Sequence, residues 1–217
     1  MGVVSLWAAT GQNALEASRI LVLSASATST SILKNLVLPG IGHFTILDAS
    51  AVTPQDAGNN FFLEGPDSIG KNRAEEAVRL LGELNDGVGG EAVKESVEDV
   101  LRKKPEWVKG FSLVVAHNLE KRLLEKLSAL LWEDEAGPPL VMVKSAGFLA
   151  EFFIQFHDHA SGLVLTFVPS TMHLTKSTFR RSNRISFRIS AFSTHNQPLS
   201  ITPLPLHLSR LLQDGSY

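Results

Sequence analysis

Short apolar runs alternate with amphipathic stretches along the front of the chain, and this alternation restricts the fold more than any other feature. Residues 20–23 (ILVL), 43–47 (HFTIL), 111–116 (FSLVVA) and 140–143 (LVMV) have the length and composition of buried strands. Residues 11–18 and 31–38 read as helices, the second stopped by Pro39-Gly40. In residues 71–84, Ala74, Ala77, Val78, Leu81 and Leu84 recur at the spacing of one helical face, and in 119–132 Leu123, Leu127, Leu130 and Leu131 do the same. A short strand is expected at 92–97 and a helix near Val100. Residues 49–68, with Pro54, Gly58, Gly65 and Pro66, read as loop, and residues 148–157 alternate only in part. Strands separated by helices imply right-handed crossovers. The expected class is α/β, Rossmann-like, with a largely parallel sheet covered by helices on both faces.

Charge divides the chain in two. Residues 1–160 carry 14 Lys and Arg against 21 Asp and Glu, whereas residues 161–217 carry 6 basic residues and a single acid, Asp214. Fifty-five residues between Asp158 and Asp214 hold no carboxylate, and Ser and Thr supply 16 of the last 57 positions. The expected organisation is a Rossmann-like domain over 1–160 and a basic, Ser/Thr-rich, irregular tail over 161–217. Within the tail, SFRISAF (186–192) alternates like a strand, but no neighbouring segment is an obvious pairing partner. The arginines Arg180, Arg181, Arg184 and Arg188 read as a solvated end rather than a nucleic-acid patch.

Composition excludes several kinds of chemistry. With Cys 0, the chain has no disulfide scaffold, no thiolate zinc site and no thioester of its own. A formal net charge of -2 argues against a surface built to neutralise phosphates. No apolar run approaches the roughly 20 residues that span a bilayer. The first residues, MGVVSLWAATGQ, read as neither a signal nor a transit peptide. The expectation is an intracellular protein, cytoplasmic or nuclear or both, with no membrane and no nucleic-acid partner.

The turn after the first strand is where such a fold would bind a phosphate. A working turn places glycines at G-x-G-x-x-G so that backbone amides can approach the pyrophosphate. Here the slots read Ser24-Ala25-Ser26-Ala27-Thr28-Ser29, with serine in place of each glycine, while Asp48 stands 24 residues past Ser24, near the position of a ribose-binding acid. The frame is present without its glycines, and nucleotide binding is expected to be weak or lost. Reception of an anion by the serine hydroxyls and the helix N-terminus remains the alternative at this stage.

Three runs, SILKNLVLPGIGHFTILD (31–48), DAGNNFFL (56–63) and IGKNRAEEAVRLLGELN (69–85), resemble the adenylation-type, ThiF-like half of the ubiquitin-activating enzyme family. Within that family they are similar to the regulatory branch of the heterodimeric enzymes for Nedd/Rub-type modifiers. The similarity covers residues 6–159, an N-terminal portion of such a subunit. By resemblance, an ATP-contacting Arg of catalytic relatives is replaced by Asn59, and a Mg²⁺-holding Asp by His117, a poor ligand for a hard cation. Asp48 and Lys71 match the ribose acid and the phosphate-side lysine, as vestigial positions. Of a basic N-terminal arm, Leu6-Trp7 remain. The resemblance implies no catalytic residue, metal or cofactor on this chain. It implies a heterodimer with a catalytic subunit that holds ATP and Mg, and a ubiquitin-like modifier as its object, in protein neddylation. Two other readings stand beside it: a nucleotide-dependent enzyme with a non-standard phosphate turn, and a truncated product without activity.

Other constellations are weaker. His157 and His159 share a strand face but lack a third ligand. Lys103, Lys104 and Lys109 read as a solvated face. Phe61-Phe62 suit either a core anchor or a partner contact. Ser145, in KSAGF, lacks the first glycine of a nucleophile elbow.

Overall fold

A computed structural model describes residues 9–147, 149–157, 164–168, 171–175, 184–190 and 202–203. The front of the chain forms α1 (Ala9–Glu16), β1 (Arg19–Leu23), α2 (Ala27–Val37), β2 (His43–Leu47), α3 (Pro54–Asn59), α4 (Arg73–Gly82) and β3 (Gly89–Val93). These are followed by α5 (Val97–Lys103), α6 (Pro105–Lys109), β4 (Leu113–His117), α7 (Lys121–Trp132), β5 (Leu140–Ala146) and β6 (Leu149–Gln155). Four further strands lie beyond: β7 (Val164–Val168), β8 (Thr171–Thr175), β9 (Arg184–Ser190) and β10 (Thr202–Pro203).

The main sheet has the order β10-β9-β6-β5-β4-β1-β2-β3, and β7 pairs with β8 apart from it. From β5 to β3 every neighbouring pair is parallel, as expected for strands joined through helices. β6, β9 and β10 extend the sheet antiparallel. Successive residues of β1 explain why its sequence is apolar without interruption. Ile20 and Val22 pack beneath α2 and α4 with Leu33, Phe44, Ile46, Ala77 and Leu81. Leu21 and Leu23 face the opposite side, against Val100, Val114, Leu127, Leu131 and Leu140. The sheet therefore has a core on each face, and chain order reverses between β1 and β4. In open α/β sheets this switch point is the place for a ligand crevice.

Several local expectations shift. Residues 54–59, expected as loop, form α3. Thr53 accepts from the Asp56 amide while Asp56 accepts from the Thr53 amide, and Pro54 supplies the fixed φ of a first helical residue. The third strand lies at Gly89–Val93 rather than 92–97. Its glycines are required by packing: a Cβ on Gly90 would stand 2.8 Å from Phe44 Cζ, and one on Gly89 2.5 Å from His43 Nδ1. Ser96 caps α5 instead of continuing the strand. Gly42 has a similar reason, because a Cβ there would overlap the Glu16 carbonyl at the end of α1. The strand pattern in SFRISAF does have a partner: β9 pairs with β6 over its whole length, Phe187 opposite Phe152. The segment expected to be irregular also holds β10, paired with β9, and the antiparallel β7–β8 pair; its other residues lie outside the described ones, as do Leu6, Trp7 and His159.

Candidate functional site

The turn from β1 into α2 keeps the backbone of a glycine turn with other side chains. Ser24 has φ 90, in the left-handed region where a Cβ is disfavoured. Its amide donates to Leu47 O at 3.0 Å. Ser26 is the N-cap of α2: its hydroxyl accepts from the Ser29 amide at 3.2 Å and lies 2.9 Å from the Ser29 hydroxyl. Ser29 is fully buried, so its side chain belongs to the packing of α2 on the sheet rather than to the wall of the crevice.

Asp48, just past β2, is only 6% exposed and is engaged by three partners. One carboxylate oxygen accepts from the Ala25 amide at 2.8 Å and from Arg73 Nε at 2.8 Å; the other accepts from the Ser50 amide at 2.9 Å. A second Arg73 nitrogen stands 2.7 Å from Asp48, and a third donates to Asp56 at 3.1 Å. Burial disfavours the Arg73 charge, but the pull of Asp48 and then of Asp56 outweighs it and holds the guanidinium pKa above its ordinary value. Burial opposes charge on Asp56 as well, while hydrogen bonds from Thr53 and the Arg73 charge keep its carboxyl below the usual range.

Lys71, half exposed, pairs with Glu76 at 3.5 Å. Glu76 is nearly buried. Burial raises its carboxyl pKa, yet hydrogen bonds from Ser68 and Arg79 and the Lys71 charge leave it lowered overall. Asp48 and Lys71, the two vestigial positions, are thus held by different internal partners.

Two residues of this site escaped the sequence reading. Arg73 is the first residue of α4, where a cation opposes the helix dipole. That misplaced charge was the available signal that acids must face it. Asn60, next to Asn59, is buried. Its carbonyl oxygen accepts from Thr30 Oγ1 at 2.9 Å and from the Phe62 amide at 3.0 Å, and its amide donates to Ala25 O at 3.1 Å. It locks the loop after β2 onto the turn after β1. The neighbouring aromatic pair divides its roles, since Phe62 is 3% exposed in the core and Phe61 is 85% exposed.

On the far side of the switch point, His117 closes β4 at 9% exposure. Its Nδ1 lies 2.8 Å from Ser26 Oγ, and its Nε2 lies 2.8 Å from Ser145 Oγ on β5. Burial pushes the imidazole pKa below 6.5, favouring the neutral ring. Asn118, at φ 48, fixes the main chain beside Ser145. Its side chain donates to Ser145 O at 3.0 Å and accepts from the Ser145 amide at 2.9 Å. A cavity of about 680 Å³ opens here, lined among others by Leu119, Ser145, Ala146 and Leu149.

The remaining constellations resolve simply. His157 stacks on Trp132 with ring centroids 4.3 Å apart. Lys103 pairs with Asp99 and Lys104 with Glu95 on the exposed side, whereas Lys109, expected on the same solvated face, is only 17% exposed beside Glu106. Among the described residues, no group of three His, Asp or Glu side chains is placed to hold a metal ion, and no helix is long and apolar enough to cross a membrane.

Comparison with known proteins adds a family and a branch. The ThiF family matches residues 1–119. The NEDD8-activating enzyme E1 regulatory subunit of Xenopus laevis is 45% identical over 154 residues, covering 71% of this chain and 28% of that protein. The regulatory subunit AXR1 of Arabidopsis thaliana is 34% identical over 154 residues, again 71% of this chain and 28% of that protein. DNA damage tolerance protein RHC31 of Saccharomyces cerevisiae is 29% identical over 158 residues, 73% of this chain and 44% of that protein. Among solved structures, the crystal structure of SeMet PaaA superposes with a TM-score of 0.57 at 16% identity, covering 67% of this chain and 45% of that one. That likeness speaks to the fold alone. The chain spans 28% of the length of the regulatory subunits it resembles.

Proposed function

The chain belongs to the ThiF family, and from that premise we propose that it is a regulatory-type subunit of a NEDD8-activating enzyme, non-catalytic in modifier activation. It supports adenylation and transfer of the modifier by a separate catalytic subunit, which holds ATP and Mg, and it works in the cytoplasm or the nucleus. The observation that carries this reading is the self-satisfied turn. Where a pyrophosphate would draw backbone amides, the Ala25 amide is bonded to Asp48 and the Ser29 amide to Ser26 Oγ. Where a ribose would meet a carboxylate, Asp48 is bound by Arg73.

The residues present do not fit a magnesium nucleotide. His117 offers an imidazole already bridged to two hydroxyls, and Mg²⁺ prefers oxygen ligands in octahedral array. No step on this chain is routed through ATP. Its contribution is surface, and Phe61 is an exposed aromatic suited to a protein contact. Calorimetric titration with ATP and Mg²⁺ is expected to give no heat of binding. Co-expression with the catalytic subunit of a NEDD8-activating enzyme is expected to yield a co-eluting heterodimer. Low-micromolar ATP binding by the isolated chain would instead favour a nucleotide-dependent enzyme, and failure to co-elute would favour an inactive truncated product.

A further inference from the structure

The hydroxyl of Ser145 stands at hydrogen-bond distance from an imidazole. Sequence spacing gave it no elbow, but the register of the sheet gives it a base. His117 pairs with Val143 across β4 and β5, and Ser145, two residues further on, shares the face of Val143. The result is an Oγ···Nε2 separation of 2.8 Å, within reach for proton transfer. The other ring nitrogen is held by Ser26 Oγ, which fixes the orientation of the ring.

The hydrogen-bond inventory is consistent with a basic Nε2. With the proton on Nδ1, His117 donates to Ser26, Ser26 donates to Ser29 Oγ, and the Ser29 amide donates to Ser26. The single donor and two acceptors of Ser26 are then all used, and Nε2 accepts from Ser145. The groups facing the ring from α2 and β5 are these uncharged hydroxyls. Asp48 is engaged by Arg73 across the turn, and Lys144 and Glu151 lie on the cavity wall. Beside Ser145 the cavity presents Leu119, Ala146 and Leu149, an apolar lining suited to a short acyl chain.

We infer that Ser145, on the cavity wall at the end of β5, and His117 behind it form an acyl-transfer dyad, for which small activated carboxylic esters are the substrate class. Ser145 Oγ bonds to the ester carbonyl carbon as its proton passes to His117 Nε2. The carbon–oxygen bond to the alcohol breaks, and the alcohol leaves with that proton. Water then attacks acyl-Ser145 by the same exchange through Nε2, releasing the carboxylic acid and restoring the hydroxyl. Ser26 is a positioning residue. This activity is independent of the regulatory reading and needs no partner.

The test is covalent labelling of the full chain with an alkyl fluorophosphonate, the site being located by peptide mass spectrometry. The label is expected on Ser145, absent in Ser145→Ala, and slowed about 100-fold or more in His117→Asn, the usual scale of general-base assistance. Where a variant fails to fold, the wild-type pH profile decides: the rate should rise through one inflection below pH 6.5 and then level off. Absence of label on Ser145, equal labelling in a folded His117→Asn, or a rate that climbs only in alkali would overturn the dyad. Hydrolysis of p-nitrophenyl acetate that disappears in Ser145→Ala would extend it from labelling to turnover.

Discussion

The two flanks of the switch point both set small hydroxyls beside larger polar groups, and use them in opposite ways. On the β1–β2 flank, Asp48, Asp56 and Arg73 bond to one another and to backbone, and Ser26 caps its own helix. On the β4–β5 flank, His117 and Ser145 bond to each other, and Ser145 borders open volume. A polar group in a folded chain must be paired, but the partner can be permanent or exchangeable. The first flank has permanent partners and the second keeps a hydroxyl that a ligand can displace.

The contrast breaks most visibly at Arg73. Arg73→Met should leave Asp48 and Asp56 without their cation and lower stability by about 3–5 kcal/mol, read as a shift of the urea midpoint. A loss below 1 kcal/mol would mean that the first flank is no more tightly built than the second.

The next effect is in pH. The folded His117 has a pKa below its unfolded value of 6.5, so below pH 6.5 the unfolded chain binds a proton that the folded chain does not. Its contribution is therefore complete above pH 6.5 and fades as pH falls, with a slope of at most about 1.4 kcal/mol per pH unit. His117→Gln should remove that slope just below pH 6.5 in denaturation curves, and an unchanged slope would place its origin elsewhere.

Smallest is Ser24→Gly. Relief of the positive φ should raise stability by about 1 kcal/mol, visible as a higher melting temperature. A lower melting temperature would show that the Ser24 hydroxyl, 3.4 Å from Arg73, matters more than the backbone strain.

Much of the architecture was legible before any coordinates. Residues 43–47 matched β2 to the residue, and α4 fell inside the 71–84 window, because burial on one or both faces writes a period into the chain. β3 was displaced because Gly89-Gly90 looks like a break, whereas the sheet needs space there for Phe44. The partner of SFRISAF was invisible because β6 itself alternates only in part. At the site, the serines and Asp48 were readable from spacing. The Arg73–Asp48 pair spans 25 residues and depends on where α4 starts beside the end of β2, while the His117–Ser145 pair spans 28 and depends on strand register; a one-dimensional pattern contains neither.

The absent side chain at Gly42 has one more consequence. There the end of α1 meets the sheet main chain to main chain: the Gly42 amide donates to Leu15 O, the His43 amide to Ser18 O, and the Glu16 carbonyl fills the room a methyl group would need. Beside Leu15, which packs on the core, the end of the first helix is therefore docked by atoms that every residue shares. Its outward side chains can drift through substitution without moving its end on the sheet, and the seam itself admits no residue but glycine.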